Sequence, residues 1–164
     1  MNAPTKLALF ASAISIALPQ AAAAQSTAFS KSWNGTWRMD LKKSKFSSAE
    51  FTPKSDTRIY SVAGKRVTMR ATGVNAAGKT MTWSYSATAN GKWYRTSGNP
   101  NTDHIALTWV SPREFRSSTR LNGKGSARST VTLSADGKVL TISRSILTAK
   151  AGPTDDTMVF TRTK

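Results

Sequence analysis

The chain of 164 residues contains no cysteine and a single histidine, His104. Without thiols there is no disulfide framework, no thiolate metal site and no cysteine for lipid attachment at an exported N-terminus. One histidine and eight scattered acids leave no ligand set with metal-binding spacing. The same scarcity leaves no pair of carboxylates placed across a cleft for glycoside hydrolysis. Serine and threonine are abundant, yet none sits in a G-x-S-x-G elbow that would mark an activated nucleophile. No cofactor is implied by any motif. Long apolar runs are also missing: Leu7 to Leu18 is broken by Ser12 and Ser15, stops at Pro19, and falls short of the roughly 20 residues that cross a bilayer. No transmembrane segment is expected beyond it.

That N-terminal run fits an export signal. Lys6 supplies the positive end, Leu7 to Leu18 the apolar stretch, and Ala22-Ala23-Ala24 a cleavage site before Gln25. The reading is a leader at 1–24, a single domain at 25–164, and a periplasmic or secreted location. Acids are the other scarcity: 8 against 24 Lys and Arg give a formal charge of +16. Such a balance attracts polyanions. The basic residues are spread along the chain, with no run of five or six that would form a tail. An anionic envelope surface (lipid headgroups or lipopolysaccharide) or a protein partner is therefore one candidate for the basic exterior. Nucleic acid is not expected, although "KWYRTSG" at 92–98 mixes aromatic and basic residues, because no RNP or helix-turn-helix pattern is present and export separates the protein from nucleic acid.

What fills the rest of the chain is a regular series of short Thr-, Ser-, Val-, Ile-, Trp- and Tyr-rich runs separated by Gly-Lys turns at Gly64, Gly78, Gly91, Gly123 and Gly137. Asn-Gly and Asp-Gly between such runs are strong hairpin signals. Alternation supports strands: Met81, Trp83, Tyr85 and Ala87 share one face, and Ile105, Leu107 and Trp109 share another against His104, Ala106 and Thr108. Strands are read at 36–41, 57–62, 66–72, 80–87, 93–96, 104–109, 114–121, 126–133, 139–147 and 157–162. The predicted fold is all-β, an up-and-down antiparallel β-barrel of about 8–10 strands, since a long meander closes to remove its edges. An open sandwich would need a long crossover, and the longest irregular piece is Lys42 to Asp56.

"SKSWNGTWRMD" places Gly35-Thr36-Trp37 at the first strand, after a segment, 29–33, able to make one helical turn. With "GVNAAGKTMTWSYSATANGKWYRTSGNPNTDHIAL", "SADGKVLTISRS" and a terminal Arg162 in "MVFTRTK", it resembles small exported bacterial lipocalin-like proteins of the calycin superfamily, to which lipocalins and fatty-acid-binding proteins belong. The resemblance implies a barrel whose end is closed by Gly35 and Trp37, with Arg162 stacked across the indole and Arg144 the alternative. It implies no catalytic set.

The function read from these features is an exported lipocalin-like protein that binds or carries a small, partly apolar and anionic or lipid-like ligand. Candidate cavity residues are Met69, Trp83, Tyr85, Tyr94, Arg95, His104, Trp109, Phe115 and Arg116. A carboxylate or phosphate is the expected guest of any of Arg70, Arg116, Arg120 or Arg144 that points inward. The envelope interaction module is the alternative, and a small hydrolase using His104 the second alternative. For the hydrolase, consecutive residues of a strand point to opposite faces, so Asp103 could orient His104 only if the chain bends between them, and the stretch reads as a turn-to-strand junction rather than an acid–base dyad. Asp155 and Asp156 are read as turn residues of the last hairpin loop.

Overall fold

The computed structural model describes residues 30–149 and 152–163. The leader read at 1–24 and the first residues of the domain read at 25–164 lie outside them. A helical turn, α1 (Ser30–Trp33), precedes ten strands: β1 (Gly35–Met39), β2 (Ser55–Ala63), β3 (Arg66–Val74), β4 (Thr80–Thr88), β5 (Asn90–Ser97), β6 (His104–Ser111), β7 (Glu114–Leu121), β8 (Lys124–Leu133), β9 (Val139–Ile146) and β10 (Thr154–Arg162). Each strand pairs antiparallel with its neighbours in sequence, and β1 pairs with β10 through Trp37↔Arg162, Arg38↔Thr161 and Met39↔Phe160, which closes the barrel. Closure leaves no free sheet edge, the outcome expected for so long a meander. All five Gly-Lys glycines adopt positive φ, as tight hairpins demand. The seam between β4 and β5 is the thinnest, with two paired positions, Ser84↔Ser97 and Tyr85↔Thr96.

Two local expectations are corrected. Asp155 and Asp156 are not in a loop; both lie within β10, because the strand begins at Thr154 and the last hairpin turn comes earlier in the chain. The fifth strand is longer than the expected 93–96, since Gly91 at φ +78 lets the chain turn back immediately after β4.

One end of the barrel is solid. Trp33 and Trp37 are completely buried there, with Val62, Val67, Leu107, Phe115, Leu140 and Phe160 among the residues packed around them. The Trp37 Nε1 donates to Trp33 O (3.2 Å), and the Trp33 Nε1 to Pro112 O (3.1 Å), so neither buried indole leaves its N–H unpaired. Gly35 enters β1 at φ +142, a conformation that a side chain would strain. The Arg162 guanidinium lies over the Trp37 ring, 4.4 Å from its centroid. It donates through Nε to Gly137 O (2.9 Å) and through its terminal nitrogens to the carbonyls of Asn34 and Ser32. A single side chain thus ties the last strand, α1, the start of β1 and the β8–β9 turn together.

The other end is roofed by the segment joining β1 to β2, residues 40–54, which carries a 3-10 turn at Ala49–Phe51. It is held down by β10. Lys45 bridges to Thr157, Val159 N donates to Ser44 Oγ (3.0 Å), and Asp156 Oδ1 accepts from Ser47 N (2.8 Å) and Ser47 Oγ (2.9 Å). The other oxygen of Asp156 takes Arg144 Nη2 (2.5 Å). Burial works against the Asp156 charge, but Arg144 and the Ser47 donors outweigh it, and its carboxyl sits below the ordinary value of 3.8.

Two predictions follow the two ends. Arg162→Ala, which removes the indole stack and several charge-assisted hydrogen bonds, is expected to cost about 2–4 kcal/mol. Urea midpoints measure it, against Arg116→Ala on the exterior, which should stay within about 0.5 kcal/mol. For Asp156 the folded-state value is depressed, so its stabilisation is present above about pH 4 and drains as the pH falls further. Asp156→Asn should lower the urea midpoint at pH 7, and the difference between variant and parent should shrink at pH 3; a constant difference would assign the effect to packing instead.

Candidate functional site

Between the plugged end and the roof lies a cavity of about 570 Å³. A barrel of this size encloses more space than its side chains fill, and such volumes suit one small molecule. Met39, Tyr60, Ala71, Met81, Trp83, Tyr85, Ile105, Phe115, Val131, Ile142 and Met158 line it from the strands, with Phe46 and Phe51 above. The rim is formed by residues 75–76, 99–102 and 148–149 together with the roof segment.

Two guanidiniums reach this interior, each facing a carboxylate. Arg58 is nearly sealed, its side chain 9% exposed. Its Nε and Nη2 both donate to Asp56 Oδ2 (3.0 and 2.9 Å), and its plane lies 4.8 Å from the Phe160 ring centroid and 5.7 Å from that of Trp83. Burial disfavours the Arg58 charge, but Asp56 and Tyr60 more than compensate, and its pKa rises. Burial pushes the Tyr60 hydroxyl up, with Arg58 pulling it partly back, and it pushes Tyr85 well up, helped by Tyr60. Both phenols are therefore neutral hydrogen-bonding groups. Arg144 is more accessible, with 28% of its side chain exposed, and its partner Asp156 is wholly enclosed. The two ion pairs cancel inside the cavity, so its polarity comes from directed donors and acceptors rather than from net charge.

Of the residues expected at the cavity, Trp83, Tyr85 and Phe115 line it. Met69 is buried between Tyr60 and Tyr85 in register, inside the wall rather than on its surface. Trp109 belongs to the solid end, its ring 5.6 Å from Trp33 and 5.4 Å from Phe115. Tyr94 turns inward against the core and shares hydrogen bonds with Asn90, away from the cavity lining. Arg95, His104 and Arg116 are on the outside: Arg95 pairs with His104 and His104 with Arg120 across β5–β7, one residue out of phase with the inward Tyr94 and Ile105. Arg116 is paired with the exterior Thr108 and lies 3.5 Å from Glu114. Among the four arginines considered for an inward orientation, only Arg144 adopts it.

Asp103 and His104 sit at the expected turn-to-strand junction, and the chain bends there. His104 Nδ1 is 2.8 Å from Asp103 Oδ1, because Asp103 lies in the bend just before β6 and alternation does not yet apply to it. Its other oxygen accepts from Asn122 N (2.8 Å), and the hydrogen bonds of His104 and Asn122 hold the Asp103 carboxyl below the usual range. No serine or threonine hydroxyl joins the His104 ring among the described hydrogen bonds, so the pair works as a tie between the 98–103 loop and the β7–β8 turn. No group of three or more His, Asp or Glu capable of holding a metal occurs among the described residues, and no helix among them is long and apolar enough to cross a membrane.

Asp56, Arg58 and Tyr60 were missed by the sequence reading. In "TRIYSV" the inward set is Arg58, Tyr60 and Val62, while Ile59 stands 50% exposed. The mixture of Arg with Tyr and Val on one face, and Ile with Ser and Thr on the other, gives no clean hydrophobic alternation, and that irregularity is the one signal the sequence carries.

No family model matches the chain, and no curated protein matches it. Among solved structures it is similar to the zebrafish ileal bile acid-binding protein complexed with cholic acid, with a TM-score of 0.53 and 10% identity over 81% of this chain and 100% of that one. Lobster apocrustacyanin A1 (TM-score 0.44, 16% identity, 80% of this chain and 61% of that) and a de novo designed fluorescence-activating β-barrel (0.43, 13%, 82% and 96%) are more distant in shape. At these identities the likeness concerns architecture, and the architecture is a closed ten-stranded antiparallel barrel.

Proposed function

We propose that this protein is an exported, non-catalytic barrel that binds or carries a small, partly apolar, anionic ligand. The observation that carries the reading is the enclosed space of about 570 Å³, walled by Trp83, Tyr85 and Met81 and reached by the Arg144 guanidinium. Aromatic and thioether surface favours an apolar body. Arg144 supplies the end for an acid, because 28% of its side chain stays exposed beside Asp156, and the strongly basic balance of the chain attracts anions. The zebrafish neighbour's ligand, cholic acid, has this partly apolar, acidic chemistry. Residues 1–24 serve as the leader, and 25–164 act in the periplasm or outside the cell. Native mass spectrometry of protein purified from its own producing cells tests the whole reading. The expected mass begins at Gln25 and carries a small acid that is released on denaturation; a mature chain repeatedly free of any small molecule would overturn it.

A second reading is favoured by the exterior of β5–β8. Arg95, Arg116 and Arg128 are exposed there, and Arg120 stacks over Trp93, 4.5 Å from the ring centroid, with Trp93 itself 41% exposed. In this reading the outer face contacts anionic lipid, lipopolysaccharide or a protein partner of the envelope. Sedimentation with phosphatidylglycerol vesicles is expected to show binding that weakens steeply between low and physiological salt. Salt-independent binding, or none, removes it.

A further inference from the structure

Resting on the ligand-binding reading, the arrangement of the cavity wall says what shape of polarity that ligand has. Register places Ser117 of β7 opposite Ser129 of β8, Ser129 opposite Arg144 of β9, and Arg144 opposite Asp156 of β10. The first three line the cavity. Adjacent strands are about 4.8 Å apart, so this row runs across the wall for about 14 Å. Further along the same two strands, Thr119 and Ser126 form a hydroxyl pair at 2.9 Å. The hydroxyls of Ser117 and Ser129 make no hydrogen bond among the described residues and are not among the sealed polar atoms, so they open into the cavity.

The arc across the barrel is of the opposite kind. Its paired rows are Asp56–Gly73–Met81, Arg58–Ala71–Trp83 and Tyr60–Met69–Tyr85 on β2–β4. Arg58 is the one positive charge on it, and its hydrogen-bonding edge is turned to Asp56 while Phe160 and Trp83 cover its plane. Toward the cavity this arc presents the Trp83, Tyr60 and Tyr85 rings and the Met81 thioether, with its polar groups limited to the Asp56–Arg58 pair and the two phenols. The large rings thus stand on one side of the cavity, and the unpaired serine hydroxyls with the accessible guanidinium on the other.

We infer that the ligand is facially amphipathic: a rigid ring system with one apolar face against Trp83 and Tyr85, and hydroxyl or acid groups along the other face meeting Ser117, Ser129 and Arg144. A flexible fatty chain with a single polar end would lay hydrocarbon over the hydroxyl row and leave it unpaired, which is unfavourable.

Titration of the whole mature protein with cholate, lithocholate and laurate, followed by calorimetry, tests this. The two steroids share a ring skeleton and a carboxylate, and differ in hydroxyls on one face. Cholate is expected to bind about tenfold tighter than lithocholate despite being less apolar, the effect of an added hydrogen bond in a desolvated site. In a Ser117→Ala/Ser129→Ala variant that preference should fall to within about twofold. Should the variant fail to unfold cooperatively, the comparison in the parent protein decides alone. Equal affinity for the two steroids, or laurate binding tighter than both, overturns the facial assignment while leaving the ligand-binding reading intact. Failure of all three to bind, together with an empty native mass spectrum, overturns both.

Discussion

The contact of the Arg162 guanidinium with the Trp37 indole joins the first and last strands of the barrel, and much of the remaining architecture presupposes it. Ten strands arranged as a meander close only if the first and last can pair, and β1 is short, with three paired positions on β10. The stack occurs at the first of those positions, and its hydrogen bonds reach α1 and the β8–β9 turn. An always-charged, planar group suits this place because it can lie flat on a ring and still use every edge nitrogen. With one end plugged by Trp33, Trp37, Trp109 and Phe115, the space left by the taper of the barrel collects at the other end.

The roof is the complementary device. Residues 40–54 cross the open end, and Asp156 anchors them by accepting from Ser47 while pairing with Arg144. The acid that orients the cavity's accessible guanidinium is thus the same one that holds the cover. Neutral pairing of both interior arginines means that no bare charge is buried when the cavity is empty, which a low-dielectric interior would penalise. It also leaves recognition to geometry: an aromatic arc, a hydroxyl row, and one guanidinium with capacity to spare.

Much of the fold was legible in the sequence because closure of a meander depends on local signals. Gly-Lys turns spaced along the chain and strict alternation in 80–87 and 104–109 each specify one hairpin or strand, and together they imply the barrel; the plug of Trp37 and Arg162 was implied by the resemblance that the G-x-W carries. The site was less legible. Trp83, Tyr85 and Phe115 were expected to face inward and do, since large apolar residues on an alternating face point inward wherever the barrel is. Arg95, His104 and Arg116 were placed with them, although the same alternation puts them outside. Asp56 and Arg58 went unseen because a polar pair on one strand gives no sign that it faces a core until its aromatic cover is brought to it from β4 and β10.

Composition excluded disulfides and thiolate metal sites, and turn chemistry with strand periodicity determined an antiparallel barrel; these properties follow from residue type and from neighbours a few positions apart. Which arginine faces the cavity and which of its walls carries hydroxyls were decided only by the tertiary structure. Those features depend on register across strands distant in sequence, as in the row Ser117, Ser129, Arg144 and Asp156, and a shift of one residue in any pairing would have turned a member of that row to the outside.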